Sequence, residues 1–273
     1  MPHVEHAGGQ LYYEVRGKGE PLVIIRGLGR SIGHWMGYDR NLARHFKVIA
    51  VDNRGIGKSK AKVPLTLTMA DLAGDLVAVL DALAIESAHI LGVSLGGMIA
   101  LAAGVYHRER CRSLTVINSS IAGMGRPRLT IPATVKLLAS IGNPKAVPKV
   151  LAQLLVSPNY PAEERLAMQQ RWEEIDAEVG FSYGAVVKQL IAAQRFRVKG
   201  ALRSLECPTL CIYGSEDIFV PNENTFFIHR LIPGAQLVKI DGAGHELMTD
   251  RPKELLHELQ TFIGQVEKVR AAG

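Results

Sequence analysis

The stretch His89-Ile-Leu-Gly92-Val-Ser94-Leu-Gly96-Gly97-Met-Ile-Ala-Leu-Ala-Ala103 decides how the rest of the chain is read. Its first five residues form a short apolar run, as a strand buried on both faces does. Its last six read as a buried helix. Between them Gly-x-Ser-x-Gly falls at the strand-to-helix junction, which is the setting of a nucleophile elbow. Glycines are needed on both sides of so tight a turn, because a Cβ there would strike the neighbouring strand or helix. The serine is then held out with its Oγ exposed and a helix N-terminus behind it. Ser94 is the candidate nucleophile.

A serine hydroxyl is too weakly acidic to attack unaided and needs a base. With an elbow of this kind, an acid and a histidine follow the serine in chain order. His245 lies in Asp241-Gly-Ala-Gly-His245-Glu, a glycine-rich loop directly after the last apolar run. Asp217 lies in Tyr213-Gly-Ser-Glu-Asp217, directly after the run before it, with Glu216 and Asp241 as competitors for the acid role. Both loops are expected at the same C-terminal sheet edge as Ser94, where open α/β sheets carry their sites. An oxyanion would need two backbone N–H groups. Leu95 supplies the first, and Leu28 in Ile25-Arg26-Gly27-Leu28-Gly29-Arg30 is the candidate for the second.

Further apolar runs recur at Leu22–Ile25, Val48–Val51, Leu114–Ile117, Leu210–Tyr213 and Leu237–Ile240. Most do not alternate with polar residues, as in a parallel sheet covered on both faces. Gln10–Arg16 is more polar and suits an antiparallel edge strand. Helical patterns lie between the runs. In the clearest, Thr68 is the N-cap and Asp71 the N3 residue, with Leu72, Leu76, Val79, Leu80 and Leu83 on one face and Asp75 off it. Gly96–His107 and Lys253–Val269 also read as helices. Strand, helix, strand repeated predicts a mostly parallel, doubly wound α/β sheet.

Residues 122–200 break that rhythm: they hold six of the 13 prolines and no convincing buried strand. Amphipathic pieces at Thr134–Ile141, Val147–Val156 and Glu163–Glu178 make this stretch a helical cap inserted into a core of residues 1–121 and 201–273. Its apolar stripe of Met168, Trp172 and Ile175 is expected to pack, and a cap packs over a site.

Composition sets the outer limits. The 273 residues include 32 Lys+Arg against 26 Asp+Glu, a net charge of +6, and 47% are apolar. That excludes a disordered or fibrous chain. Three cysteines do not make a disulfide framework. The N-terminal residues carry no signal-peptide pattern, and no apolar run reaches the 18 residues of a membrane span. A cytoplasmic location is therefore expected. The basic excess raises the question of nucleic acid, but the charges are scattered without a recognisable module, so no nucleic-acid partner is expected. Positive charge is densest in residues 122–200, with 11 basic and six acidic side chains. This either biases the site entrance towards anionic or polar esters or, more ordinarily, reflects a solvated surface.

Taken together, these motifs resemble the α/β-hydrolase superfamily over nearly the whole length. The matching segments are Gly27-Leu-Gly29, Asp52-Asn-Arg54-Gly-Ile-Gly57-Lys-Ser59, Gly92–Gly97, Gly214-Ser-Glu-Asp217 with Gly244-His245, and the acid-x-Pro step Asp250-Arg-Pro252. Within the superfamily the chain looks most like bacterial carboxylesterases and 3-oxoadipate enol-lactonases. The resemblance implies an eight-stranded core, Ser94 as nucleophile, Asp217 as acid, His245 as base, and the Leu28 and Leu95 amides as oxyanion hole. It implies cleavage of a small-molecule ester or lactone through an acyl-enzyme, with no cofactor or metal. The same triad also serves C–C bond hydrolysis and perhydrolysis, and a non-catalytic ligand receptor can retain the fold. One departure stands out. The family commonly has His-Gly where this chain has Arg26-Gly27. Arg26 either attracts a carboxylate-bearing substrate or, the more ordinary use, bonds loop carbonyls. His34, Trp35 and Met98 either line the acyl pocket or pack beside it.

Three tempting motifs fail. Before Gly57-Lys58-Ser59 a phosphate loop requires glycine where Asp52 stands. After Gly27-Leu-Gly29 a dinucleotide fingerprint requires glycine where Ile32 stands. His257-Glu-Leu-Gln-Thr261 lacks the second histidine of a zinc motif. Cys207 and Cys211 are read as parts of a buried strand region.

Overall fold

A computed structural model of the chain describes residues 2–125, 127–139, 146–180 and 182–272. The strands are β1 (His3–His6), β2 (Gly9–Arg16), β3 (Pro21–Ile25), β4 (Lys47–Val51), β5 (Ala88–Val93), β6 (Cys111–Ile117), β7 (Thr209–Gly214) and β8 (Gln236–Ile240). The first helices are α1 (Tyr38–Leu42), α2 (Met69–Ala82) and α3 (Leu95–Tyr106). Between β6 and β7 come α4 (Ile131–Ala139), α5 (Val147–Leu155), α6 (Ala162–Val179), α7 (Tyr183–Arg195) and α8 (Lys199–Leu202). Then follow α9 (Asn222–Leu231), α10 (Leu247–Asp250) and α11 (Pro252–Ala272).

The eight strands form one sheet in the order β1-β2-β4-β3-β5-β6-β7-β8. The β1–β2 and β2–β4 pairs are antiparallel, and every later pair is parallel. Strands β3 and β5 are buried along their whole length, which is why their sequences do not alternate. Edge strand β8 is half-exposed. Strand β1 has no counterpart among the apolar runs. His3-Val-Glu-His6 is short and polar, and only its pairing through the Ala7-Gly8 turn makes it a strand.

Two apolar layers sandwich the sheet. One joins β5 and β6 to α2, α3 and α9 through residues such as Val79, Ile99, Val116 and Ile228. The other sets the opposite face against α1 and α11 through Leu42, Leu91, Leu255 and Phe262. Helix α2 starts at the expected box: Asp71 N donates to Thr68 Oγ1 at 3.1 Å, and Thr68 N donates to Asp71 Oδ2 at 2.8 Å. Such a cap contributes about 1 kcal/mol. Asp75 departs from expectation. It is buried, because Arg54 Nε donates to its Oδ2 at 2.7 Å and supplies the compensating charge.

Helices α4–α8 add no strand to the sheet. Helix α4 begins at Ile131, ahead of the expected Thr134, and the end expected at Ile141 lies outside the described residues. Met168 and Trp172 of α6 pack on Ala152, Leu155 and Val156 at α5, while Ile175 presses on Gly33 in the segment after β3. The stripe on α6 is thus core shared between these helices and the sheet edge. Among the described residues no helix is long and apolar enough to cross a membrane.

Candidate active site

Ser94 joins β5 to α3 with φ 57° and ψ −115°, a conformation that side-chain-bearing residues rarely adopt. Strain of this kind costs about 1–3 kcal/mol and persists only where the surroundings fix it. Here they do. Ser94 N donates to Ile117 O at 2.8 Å, and Ser119 Oγ donates to Ser94 O at 2.7 Å. A Cβ on Gly97 would stand 2.7 Å from that of Ser119, and one on Gly92 would enter the Gly96 backbone. The elbow therefore tolerates nothing larger than glycine at these points. Ser94 alone between Gly92 and Gly97 is not fully buried.

The segment after β3 lies against the serine: a Cβ on Gly27 would fall 3.2 Å from Ser94 Cβ. The N–H groups of Leu28 and Leu95 are both without an acceptor among the described residues.

Asp217 follows β7 and His245 follows β8, and the two meet. His245 Nδ1 is 2.7 Å from Asp217 Oδ2, with both side chains buried. Asp217 Oδ1 accepts the Phe219 and Val220 amides, each at 2.8 Å, so both carboxylate oxygens are engaged. The imidazole edge packs on Phe219, with ring centroids 5.0 Å apart. The competing acids are occupied elsewhere: Glu216 Oε1 accepts from Asn159, and Asp241 pairs with Lys239. Among the described residues the Ser94 hydroxyl makes no hydrogen bond, to His245 or to any other group. Such contacts commonly tighten only when substrate binds.

Asn118 links the serine to the histidine loop. Its Nδ2 donates to Gly244 O and His245 O, both at 3.1 Å, and its Oδ1 accepts Gly214 N at 3.1 Å. Asn118 adjoins Ile117 and Ser119, which hold the Ser94 backbone. A second tie is Asp250, whose Oδ2 accepts Gly244 N at 2.7 Å and Ser157 N at 3.0 Å. Burial pushes its carboxyl up to about 6. Sequence reasoning missed Asn118; the available signal was a polar Asn-Ser-Ser directly at the end of a buried strand.

The residues expected at a pocket are placed differently. Arg26 bonds neither a substrate surface nor loop carbonyls with its guanidinium. It is buried, and its Nη2 donates to Glu246 Oε1 and Oε2 at 2.7 and 2.9 Å. The departure at position 26 is therefore matched by a carboxylate beside His245. Burial works to raise the Glu246 carboxyl, but Arg26 holds it below the usual range. Trp35 is fully buried between the Arg26 guanidinium and Tyr38, and Met98, on α3, belongs to the core. These two pack rather than line an open surface. His34 is enclosed against α6, where burial, then Arg30 and Arg26, push its imidazole well below the ordinary value. A surface hollow beside Ser157, Tyr160 and Asp250 does not include Ser94, Asp217 or His245.

Asp52 and Gly57 also have a structural use. Asp52 Oδ1 accepts Ile32 N at 2.7 Å and Oδ2 accepts Lys58 N at 2.8 Å, bracing the segment after β3.

A family model for the alpha/beta hydrolase fold matches residues 20–252. A protein of Azorhizobium caulinodans with the provisional name carbamate hydrolase RutD is 26% identical over 269 residues, covering 98% of this chain and 100% of that protein. Among solved structures, Est816, described as an N-acyl homoserine lactone degrading enzyme, has a TM-score of 0.77 at 28% identity, covering 96% of this chain and all of that one. The enol-lactonase of Burkholderia xenovorans LB400 has a TM-score of 0.81 at 22% identity, covering 96% of this chain and 100% of that one, and shares the fold.

Proposed function

The chain belongs to the α/β-hydrolase family and is a hydrolase of that fold, and on this premise we propose that it cleaves a small carboxylic ester or lactone through a serine acyl-enzyme. The observation that carries the reading is the 2.7 Å link from His245 Nδ1 to Asp217 Oδ2, at the sheet edge where Ser94 holds φ 57°. With Nδ1–H donated to Asp217, His245 Nε2 is the lone-pair nitrogen. It takes the Ser94 proton as Oγ attacks the carbonyl carbon. The Leu28 and Leu95 amides receive the oxyanion. Collapse of the tetrahedral intermediate expels the alcohol, which takes the proton from His245. Water, deprotonated by His245 in turn, attacks the acyl-enzyme and releases the acid.

Helices α4–α8 act in this reading as a cap over residues 26–35, with Ile175 and Trp172 as its seating. The name carried by the relatives favours a second substrate, a carbamate, on the same residues. Ser94 would then carry a carbamoyl group once the alcohol has left with the His245 proton, and water would release that group as a carbamic acid.

The test is a panel of p-nitrophenyl acetate, p-nitrophenyl butyrate, a δ-lactone and an aryl carbamate. Turnover of at least one class, abolished by Ser94→Ala with the fold retained, is expected. Undiminished turnover in that variant overturns the reading.

A further inference from the structure

Arg30 is buried, with 6% of its surface exposed, in the segment between the Leu28 amide and α6. Its guanidinium carbon stands 3.9 Å from the ring centroid of Trp172, a residue of α6 that is itself fully buried. Among the described residues its guanidinium makes no hydrogen bond and no ion pair, and Nη2 is enclosed without any partner. Arg26, the like charge nearby, is paired through its Nη2 with Glu246. A buried guanidinium is ordinarily paired with a carboxylate. This one is not.

Its surroundings repeat the pattern. His34 Nδ1 accepts Ser31 N at 3.2 Å, so the neutral ring carries its proton on Nε2. That nitrogen is enclosed and makes no hydrogen bond, with the partly solvent-facing Asp176 Oδ1 3.5 Å away. The indole Nε1 of Trp172 is likewise enclosed and unpartnered. The three groups are all donors, and they gather around one indole: the His34 and Trp172 ring centroids are 6.4 Å apart. Only an acceptor complements such a set, and a carboxylate is an acceptor at every oxygen.

Arg30 is two residues from Leu28, so their Cα atoms are at most about 7.6 Å apart. A carboxylate at Arg30 and a scissile carbonyl at Leu28 therefore fit within one small molecule. We infer that Arg30 is a specificity-determining residue that receives a carboxylate of the substrate, so that the preferred substrates are anionic esters, lactones or carbamates. This rests on the serine-hydrolase reading for the identity of the reaction. The anion site itself does not. Burial pulls the Arg30 guanidinium down to about 10, which still leaves it charged at neutral pH.

The experiment compares matched ester pairs. On the acyl side these are p-nitrophenyl hydrogen glutarate and p-nitrophenyl pentanoate. On the leaving-group side they are 4-acetoxybenzoate and phenyl acetate. In one arm the wild-type kcat/KM is expected to favour the anion at least about tenfold, and Arg30→Met to reduce that ratio by about 10- to 100-fold, as for a hydrogen bond to a charged group. Arg30→Lys should restore part of the preference. The neutral ester should stay within about threefold, and the thermal midpoint should stay level or rise, because a buried unpaired charge is removed. No preference for the anion in either arm, or equal loss on both esters of a pair, overturns the inference. Glutarate binding to the Ser94→Ala variant by calorimetry separates the two readings. If no ester is hydrolysed but glutarate binds and Arg30→Met abolishes binding, the anion site stands and the proposed reaction falls. If esters are hydrolysed through Ser94 without an Arg30-dependent preference, the reverse holds.

Discussion

His245 Nδ1 lies 2.7 Å from Asp217 Oδ2, while the other oxygen of that carboxylate is held by the Phe219 and Val220 amides. The carboxylate is thus immobilised on both sides before it meets the imidazole. Asp217→Asn keeps the shape but can offer Nδ1 an N–H donor, which favours the tautomer with its lone pair on the wrong nitrogen. The expected result is a fall in kcat of about 10⁴-fold with an unchanged circular-dichroism spectrum, by analogy with other triads. Ester-hydrolysis kinetics check it.

Asn118 satisfies three backbone groups, at Gly214, Gly244 and His245. Truncation to alanine leaves a buried donor and two acceptors without this partner. A loss of about 3 kcal/mol in urea-unfolding free energy is expected, since each unsatisfied buried group costs roughly 1–3 kcal/mol and relaxation recovers part. Activity should fall as well, because the His245 loop loses its tie to the strand beside Ser94.

Arg26 and Glu246 form a pair with side-chain exposures of 1% and 4%. Arg26→Met alone strands the carboxylate and should destabilise by about 3–5 kcal/mol. Arg26→Met with Glu246→Leu should recover most of that loss, because replacing both members of a buried pair with apolar groups is often close to neutral. Denaturant midpoints of the two single variants and the double variant measure the coupling.

His34 supplies a pH dependence of stability. Burial and the neighbouring arginines depress its folded-state value well below 6.5, so the unfolded chain takes up a proton that the native state refuses. The stabilisation is complete above the unfolded value and is lost as pH falls through and below about 6.5, with a slope approaching 1.4 kcal/mol per pH unit. Unfolding free energies between pH 7.5 and 5 should decline less steeply in His34→Gln than in the wild type. Equal slopes would contradict the assignment.

The parallel strands and the elbow were legible because the sequence carries their physics directly. β3 and β5 are apolar throughout since both faces are covered, and the glycines around Ser94 are imposed by backbone packing. The chain order and strand-end positions of Asp217 and His245 were equally readable. Strand β1 was not, because its stability comes from pairing rather than from its own residues. The pairing of Arg26 with Glu246, and the absence of a hydrogen bond to Arg30 among the described residues, were hidden for a related reason. Glu246 lies 220 residues from Arg26, and no local pattern says which of two nearby arginines a distant carboxylate will neutralise. Asn118 and Asp250 were overlooked in their true roles because they bind backbone, which any sequence presents.

The proposed chemistry turns on Ser94 as the nucleophile. The most direct measurement is stoichiometric labelling with a fluorophosphonate, followed by mass spectrometry of the peptides. One phosphonyl group per chain on Ser94, loss of ester turnover in step with labelling, and no adduct in Ser94→Ala are expected. Inactivation with Ser94 unmodified, or full turnover in a chain labelled at Ser94, would contradict it.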